Sequence, residues 1–267
     1  MADGSLVRPA RRRGCLRRHP RVAVRGAAAP DFTTELTLAA RCGPGRRIVV
    51  GIDEVGRGAL AGPVAMGACA IEIRDGTVSA LPEGVRDSKA LTARRREALI
   101  EPIQHAALAT AVGWAGPEEI DEAGIVTALT RAALRALAQI EEQTGEVDAV
   151  LLDGSVDVLT PVLAAAEGTV PQVELRVKAD RDCASVAAAS ILAKVARDAR
   201  MAELAQEAPK YGWDSNKGYG SAVHREAIDR LGPHAQHRRS WRLGSGKPAP
   251  GVLWENPPPG HDREENR

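Results

Sequence analysis

The stretch Ile48-Val49-Val50-Gly51-Ile52-Asp53-Glu54-Val55-Gly56-Arg57-Gly58 decides how the chain is read. Its apolar, β-branched start predicts a buried strand over Ile48–Asp53. Two adjacent carboxylates then stand where that strand ends. Such groups are costly to bury unless a cation or hydrogen bonds compensate. Two glycines flanking an arginine follow at once. Glycine lets backbone approach a ligand closely, and arginine suits phosphate. Acid beside a phosphate-binding backbone is what metal-assisted cleavage of a phosphodiester requires. Adjacent strand residues point to opposite faces, so Glu54 joins Asp53 in one site only if the strand breaks there, and Gly56 and Gly58 offer such a break.

Two further acids repeat the arrangement. Asp153 closes Val150-Leu151-Leu152-Asp153-Gly154, and Asp180 follows Val177-Lys178-Ala179 and precedes a helical segment. In open α/β sheets, sites form beyond the carboxyl ends of strands, where acids remote in sequence can meet. Singly, each has an ordinary alternative: an Asp before Gly is commonly a turn residue, and an Asp before a helix is commonly a cap. Asp148 and Asp157 read as such loop acids.

The 267 residues carry 44% hydrophobic side chains but only 3% aromatics, an Ala/Val/Leu-rich balance suited to an α/β domain. The formal charge of +1 argues against bulk coating of nucleic acid by charge, while leaving room for a local basic face. Cys15, Cys42, Cys69 and Cys183 show neither CxxC pairing nor zinc-ligand spacing, which favours a reducing, cytoplasmic setting. No apolar run approaches about 20 residues, so no membrane span is expected.

Residues 1–46 form a basic arm expected to be disordered, apart from a short helix around Thr33–Arg41. Through residue 47 the segment holds eleven arginines against Asp3, Asp31 and Glu35, a net +8 that leaves −7 for the remainder. Its composition is compatible with an inert extension, a nucleic-acid-holding arm or a transit peptide. Beyond it, Val64–Ile71, Ala107–Trp114, Val147–Leu152 and Val173–Val177 read as strands. Arg94–Gln104, Val126–Gln143, Ala184–Glu207 and Ser221–Leu231 read as helices, with Pro117 in the first turn of another and Gly145 ending the long one. Hairpin-ordered strands followed by strands separated by helices predict a mixed α/β sheet with flanking helices. Residues 47–243 are thus expected to form the domain that carries these acids and any catalysis, with a helical C-terminal part from about 208, and 244–267 a disordered tail.

The chain resembles ribonuclease HII of the ribonuclease H superfamily. Five segments carry the likeness, in order: Gly51–Gly58 with Leu60–Val64; Asp87-Ser88-Lys89-Ala90-Leu91; Leu152-Asp153-Gly154; Lys178-Ala179-Asp180 with Ala187–Asp198; and Asn216-Lys217-Gly218-Tyr219-Gly220 with His224, Gly232-Pro233 and His237–Trp241. The likeness excludes residues 1–46 and the tail. It implies a ribonuclease H-like fold and an endonuclease that cuts the RNA strand of RNA–DNA hybrids. It also implies nicking of duplex DNA 5′ of a single embedded ribonucleotide, leaving 3′-hydroxyl and 5′-phosphate. The family carboxylates fall on Asp53, Glu54, Asp153 and Asp180, which would hold Mg²⁺ or Mn²⁺.

The family's recognition of the ribose 2′-hydroxyl falls on Gly56, Arg57, Gly58 and Tyr219. Lys89, Ser190 and Lys194 are candidate contacts to the nucleic-acid backbone, ahead of Lys178 and Lys217. The run Ala187–Ser190 also reads as a close helix–sheet contact, and His224 and His237 as structural or phosphate-contacting groups. Departures are small: Ser221 stands where threonine is common, and Ala179 where glycine is common. A monomer is the family expectation, and no clamp-binding peptide is visible in the tail. Two other readings stay open on the residues: a different two-metal nuclease of the superfamily, and a hybrid-binding module without catalysis.

Overall fold

The computed structural model describes residues 29–165 and 170–245. Helix α1 (Thr33–Arg41) leads into strand β1 (Arg46–Val55), then β2 (Val64–Arg74) and the short β3 (Thr77–Val78). Helix α2 (Ala93–Ala106), β4 (Ala109–Ala115), α3 (Pro117–Thr144) and β5 (Ala149–Asp153) follow. The chain continues through α4 (Thr160–Leu163), β6 (Gln172–Arg176), α5 (Ala179–Asp182) and α6 (Ala184–Glu207), and ends in α7 (Trp213–Asn216) and α8 (Ala222–Leu231). The fold is a mixed six-stranded sheet flanked by helices, with a helical C-terminal extension.

Strands run in the order β3-β2-β1-β5-β6, and β4 also lies against β2. β1 and β2 are antiparallel, as are β2 and β4, whereas β1, β5 and β6 are mutually parallel. Alternation along β1 separates two cores. Ile48, Val50 and Ile52 face α3, whose expected stripe Leu129, Ala133, Leu137 and Ile140 is buried against them. Val49 faces the other side, with Leu38, Cys69, Leu151, Val186 and Ala187. A third cluster joins Leu60, Met201, Leu204, Tyr211, Trp213 and Ile228, fastening the C-terminal helices to the far end of α6.

The approach of α6 to the sheet depends on missing side chains. A Cβ at Gly51 would stand 2.4 Å from the backbone of Ser185, and one at Gly67 would stand 2.3 Å from the Ala189 carbonyl oxygen. Ala187, Ala188 and Ala189 are fully buried, so the alanine run does form a close helix–sheet contact.

Several elements differ from expectation. β2 runs on to Arg74 and turns through Asp75-Gly76, both at positive φ, into β3. Asp-Gly is a favoured hairpin pair because both positions need left-handed backbone. The two helical segments around 117 and 126 meet as α3, with a break at Gly124 (φ 79°). Asp148 is structural: its carboxylate accepts from Arg47 and from the Ile48 amide at 2.7 Å, anchoring the start of β1.

The boundary expected at residue 46 falls earlier. Helix α1 forms as expected, but it belongs to the folded body, with Leu38 and Glu35 buried. Residues 1–28 and the tail from 246 lie outside the described residues. Among the described residues, Cys42, Cys69 and Cys183 form no disulfide.

Glu35 is fully buried, and its Oε1 accepts from both the amide and hydroxyl of Ser185, while Oε2 has no hydrogen-bond partner among the described residues. Burial pushes its pKa above the usual 4.5, against the pull of the Ser185 bonds. A group held with a raised folded pKa adds most stability below its unfolded pKa, and that contribution is lost as pH rises through the folded value. Glu35→Gln is therefore expected to gain in melting temperature relative to the parent chain as pH is raised from about 5 to about 8. A difference independent of pH, in calorimetric melts of both proteins, would contradict this assignment.

Candidate active site

Asp53 and Asp153 leave the sheet side by side. β1 pairs in parallel with β5 up to Ile52 opposite Leu152, so the two acids occupy the next position on adjacent strands. Asp180 lies four residues beyond the end of β6, in the single turn of α5. Asp153 Oδ1 accepts from the Ala179 amide at 2.7 Å, tying the end of β5 to that turn. Lys89 reaches from the neighbouring loop to place Nζ 3.5 Å from Asp180 Oδ2.

Glu54 arrives by a different route than expected. The strand does not break at position 54 but continues to Val55. Glu54 still lines one cleft of about 380 Å³ with Asp53, because the chain turns sharply just beyond, at Gly56 (φ 85°). Gly56, Arg57, Gly58, Ser88, Lys89, Ser190, Lys194 and Tyr219 line the same cleft. Asp153 and Asp180 do not line it, and they act on Asp53 through charge.

That charge is visible in the carboxylates. Burial, then Asp153 and Asp180, push the Asp53 pKa up to about 7, against the bond its side chain accepts from the Glu54 amide. Asp180 is raised by burial, Asp87 and Asp153 and held down by Lys89. Burial works against the charge of Lys89, but Asp180, Asp87 and Asp53 outweigh it and raise its pKa. Among the described residues, no three Asp, Glu, His or Cys side chains are already closed around a metal position. The donors nevertheless suit a hard divalent cation: they are carboxylate oxygens, and their mutual repulsion lacks a full counter-charge.

The candidate backbone contacts differ in availability. Lys89 has an exposed side chain. Lys194 is already paired with Asp198 at 2.7 Å. Ser190 is buried and donates its hydroxyl to Ser88 at 2.7 Å. Lys178 is exposed, and Lys217 contributes a backbone carbonyl to Arg197. His224 and His237 are structural: Trp213 Nε1 donates to His224 Nε2, which lies 3.1 Å from His237 Nε2. Burial and His224 push His237 down to about 4, so neutral imidazoles fill this aromatic core.

Two residues of the matching motifs had drawn no role from the sequence, Arg197 and Arg238. Both are fully buried. Arg238 donates to the carbonyls of Gly56, Arg57 and Gly62, and Arg197 to those of Ala61, Pro63 and Lys217. Burial and then Arg197 depress the Arg238 pKa to about 9, a sign of what two clustered guanidiniums cost here. Carbonyl dipoles offset that cost, and Arg197 also lies over the Tyr219 ring, 5.4 Å from its centroid. A Cβ at Gly56 would meet Arg197 at 2.0 Å. The signal was in the periodicity: Ser190, Ala193, Arg197, Met201 and Leu204 form one buried stripe with an arginine at its centre.

A family model described as Ribonuclease HII matches residues 50–243. The chain belongs to the ribonuclease HII family. Two curated relatives carry the same name. The one from Streptomyces avermitilis is 42% identical over 212 residues, covering 79% of this chain and 83% of its own length. The one from Cereibacter sphaeroides is 42% identical over 226 residues, covering 85% and 95%. Among solved structures, the ribonuclease H2 from Pyrococcus horikoshii superposes with a TM-score of 0.56 at 27% identity, over 73% of this chain and 93% of that one. As a member of that family, the protein is an endonuclease of the ribonuclease H type, acting on the RNA strand of RNA–DNA hybrids. No helix among the described residues is long and apolar enough to cross a membrane.

Replacing Arg238 by Met keeps much of the volume but strips donors from the carbonyls of Gly56, Arg57 and Gly62; Gly56 keeps the Ala59 amide, so two carbonyls lose their partner, at roughly 1–3 kcal/mol each. Relief of repulsion with Arg197 offsets only part of that. Urea titration is expected to find the variant less stable by about 3 kcal/mol or more; a loss under about 1 kcal/mol would show that the carbonyls find other partners.

Proposed function

We propose that, beyond cutting hybrids, this enzyme nicks duplex DNA on the 5′ side of a single embedded ribonucleotide, with divalent cations held by Asp53, Glu54, Asp153 and Asp180. The observation that carries the reading is the placement of Asp53 beside Asp153 on adjacent parallel strands, with Asp53 lining a cleft that also contains Gly56–Gly58 and Tyr219. Bound Mg²⁺ or Mn²⁺ would supply Lewis acidity and an activated water at the scissile phosphate. The carboxylates orient those donors, and Asp153 does so while also fixing the turn that carries Asp180.

RNA differs from DNA at the 2′-hydroxyl, which both donates and accepts hydrogen bonds. The Gly56–Gly58 loop is suited to read it. The Gly56 and Arg57 carbonyls are gripped from behind by Arg238, so the loop is rigid and its other side faces the cleft. Tyr219 presents a partly exposed ring at the same opening. Its loop is locked to the first by Leu60 and Ala61 amides donating to the Gly218 carbonyl. Two elements held at fixed separation can measure a ribose followed by a deoxyribose. Arg57 Nη1 stands 3.5 Å from Glu54, close enough to exchange that partner for a phosphate.

A duplex with one ribonucleotide, incubated with Mg²⁺, is expected to yield a single nick 5′ of that residue and a 3′-hydroxyl end. Equal nicking of an all-DNA duplex, or binding without nicking, would refute the proposal. Asp53→Asn should lower the cleavage rate by about a thousand-fold, the scale of several kcal/mol of lost charge stabilisation, with hybrid binding nearly kept. Tyr219→Ala should erode the preference for the junction over uniform hybrid by about ten-fold, as expected for one aromatic contact to a nucleotide. An unchanged ratio of kcat/KM values would remove Tyr219 from recognition.

A further inference from the structure

Asp180 stands on a helix of only four residues, too short to support itself. Its position must be imposed from outside. On one side the Asp153 carboxylate takes the Ala179 amide. On the other side lies the N-terminal segment, which precedes the span matched by the family model. The Asp31 amide donates to the Asp182 carbonyl at 3.0 Å, and the Asp31 carbonyl accepts from the Ala184 amide at 2.9 Å. These two bonds bracket Cys183, the junction between α5 and α6. One helical turn later, buried Glu35 accepts from the Ser185 amide and hydroxyl. Arg176 adds a link between Thr34 and Asp182.

Ser185 is also the residue that lies against Gly51, two positions before Asp53 on β1. Glu35 therefore presses the start of α6 onto the strand that carries one acid and steadies the junction that follows another. We propose that the segment Asp31–Arg41 is a positioning element of the active site, with Glu35 as its anchoring side chain setting the separation of Asp180 from Asp53. The proposal rests on the reading of those acids as metal ligands. Glu35 touches no reacting group and acts through Ser185 and the α5–α6 junction. A purely stabilising helix would leave the acids' affinity for a cation unchanged; a positioning element would not.

The test is calorimetric titration of the full chain with Mn²⁺ in the absence of nucleic acid, with metal-free melting temperatures measured alongside. Partners of metal ligands typically affect affinity by 10–100-fold, and Glu35 is one step further out, so Glu35→Ala is expected to weaken Mn²⁺ binding by about 3- to 10-fold. Glu35→Gln keeps the acceptor oxygen and loses the charge, and should stay within about two-fold of the parent. Parent-like binding by Glu35→Ala would overturn the proposal even if its melting temperature fell. Equal losses in the Ala and Gln variants would also overturn it, since charge alone would then be acting. Should Glu35→Ala fail to fold, Ser185→Ala must show a weaker loss in the same direction, and unchanged binding there would overturn the proposal. A parent chain that binds no Mn²⁺ would instead refute the metal-site reading itself, and this inference with it.

Discussion

The contact between α6 and the sheet is the constraint from which the rest of the molecule follows. At Gly51 and Gly67 the helix backbone comes so close that even a methyl group would collide with it. The price of those two glycines is reduced strand propensity, and the return is a helix lying directly on β1 and β2. Because α6 is that close, Ser190 and Lys194 on the helix share one cleft with Asp53 and Glu54 on the strand. The same closeness brings Arg197 beneath the Gly56 turn, where no side chain could be tolerated. The cleft and the Gly56 turn are thus consequences of one packing decision.

Burial of like charge is the second theme, and it is used in two opposite ways. Among the described residues, Arg197 and Arg238 form no ion pair with a carboxylate and are satisfied by backbone carbonyls from two loops. Their cost is met by rigidity: unsatisfied, those carbonyls would each be expensive to bury. The acids on the other side of the cleft are not satisfied in this way. Asp53 is raised to about 7 because burial and its acidic neighbours both oppose its charge. A frame whose own polar groups are fully bonded can hold a cluster that is not, and an unsatisfied acidic cluster is where a divalent cation gains most.

Much of this was legible before any coordinates. Helix α6 and the buried stripe of α3 follow from unbroken 3.6-residue periodicity. The strand ends at Asp53 and Asp153 follow from apolar runs that stop at an acid. The family's motifs lie at the cleft because strand carboxyl ends and their following loops share one edge of the sheet. Less was legible where a residue's partner is distant in sequence. Glu35 lies in an arginine-rich stretch whose composition suggests disorder, and only its contact with Ser185, 150 residues away, makes it part of the core. Arg197 drew no role from the sequence, and only the buried stripe around it shows that its guanidinium lies in the interior.

Sequence alone made the family and most of the larger elements legible, since periodicity, turn residues and local motifs are written in neighbouring positions. Tertiary structure decided how those parts serve one another. It kept β1 intact through Glu54 and opened the cleft at Gly56 instead. It paired Ser190 with Ser88 and Lys194 with Asp198, leaving Lys89 as the exposed amine beside the acids. It drew α1 into the body and bound two buried arginines to the carbonyls of the Gly56–Pro63 and Lys217 loops. Such outcomes depend on distances between residues far apart along the chain, and burial, which sets the cost of every charge here, exists only once the chain has closed on itself.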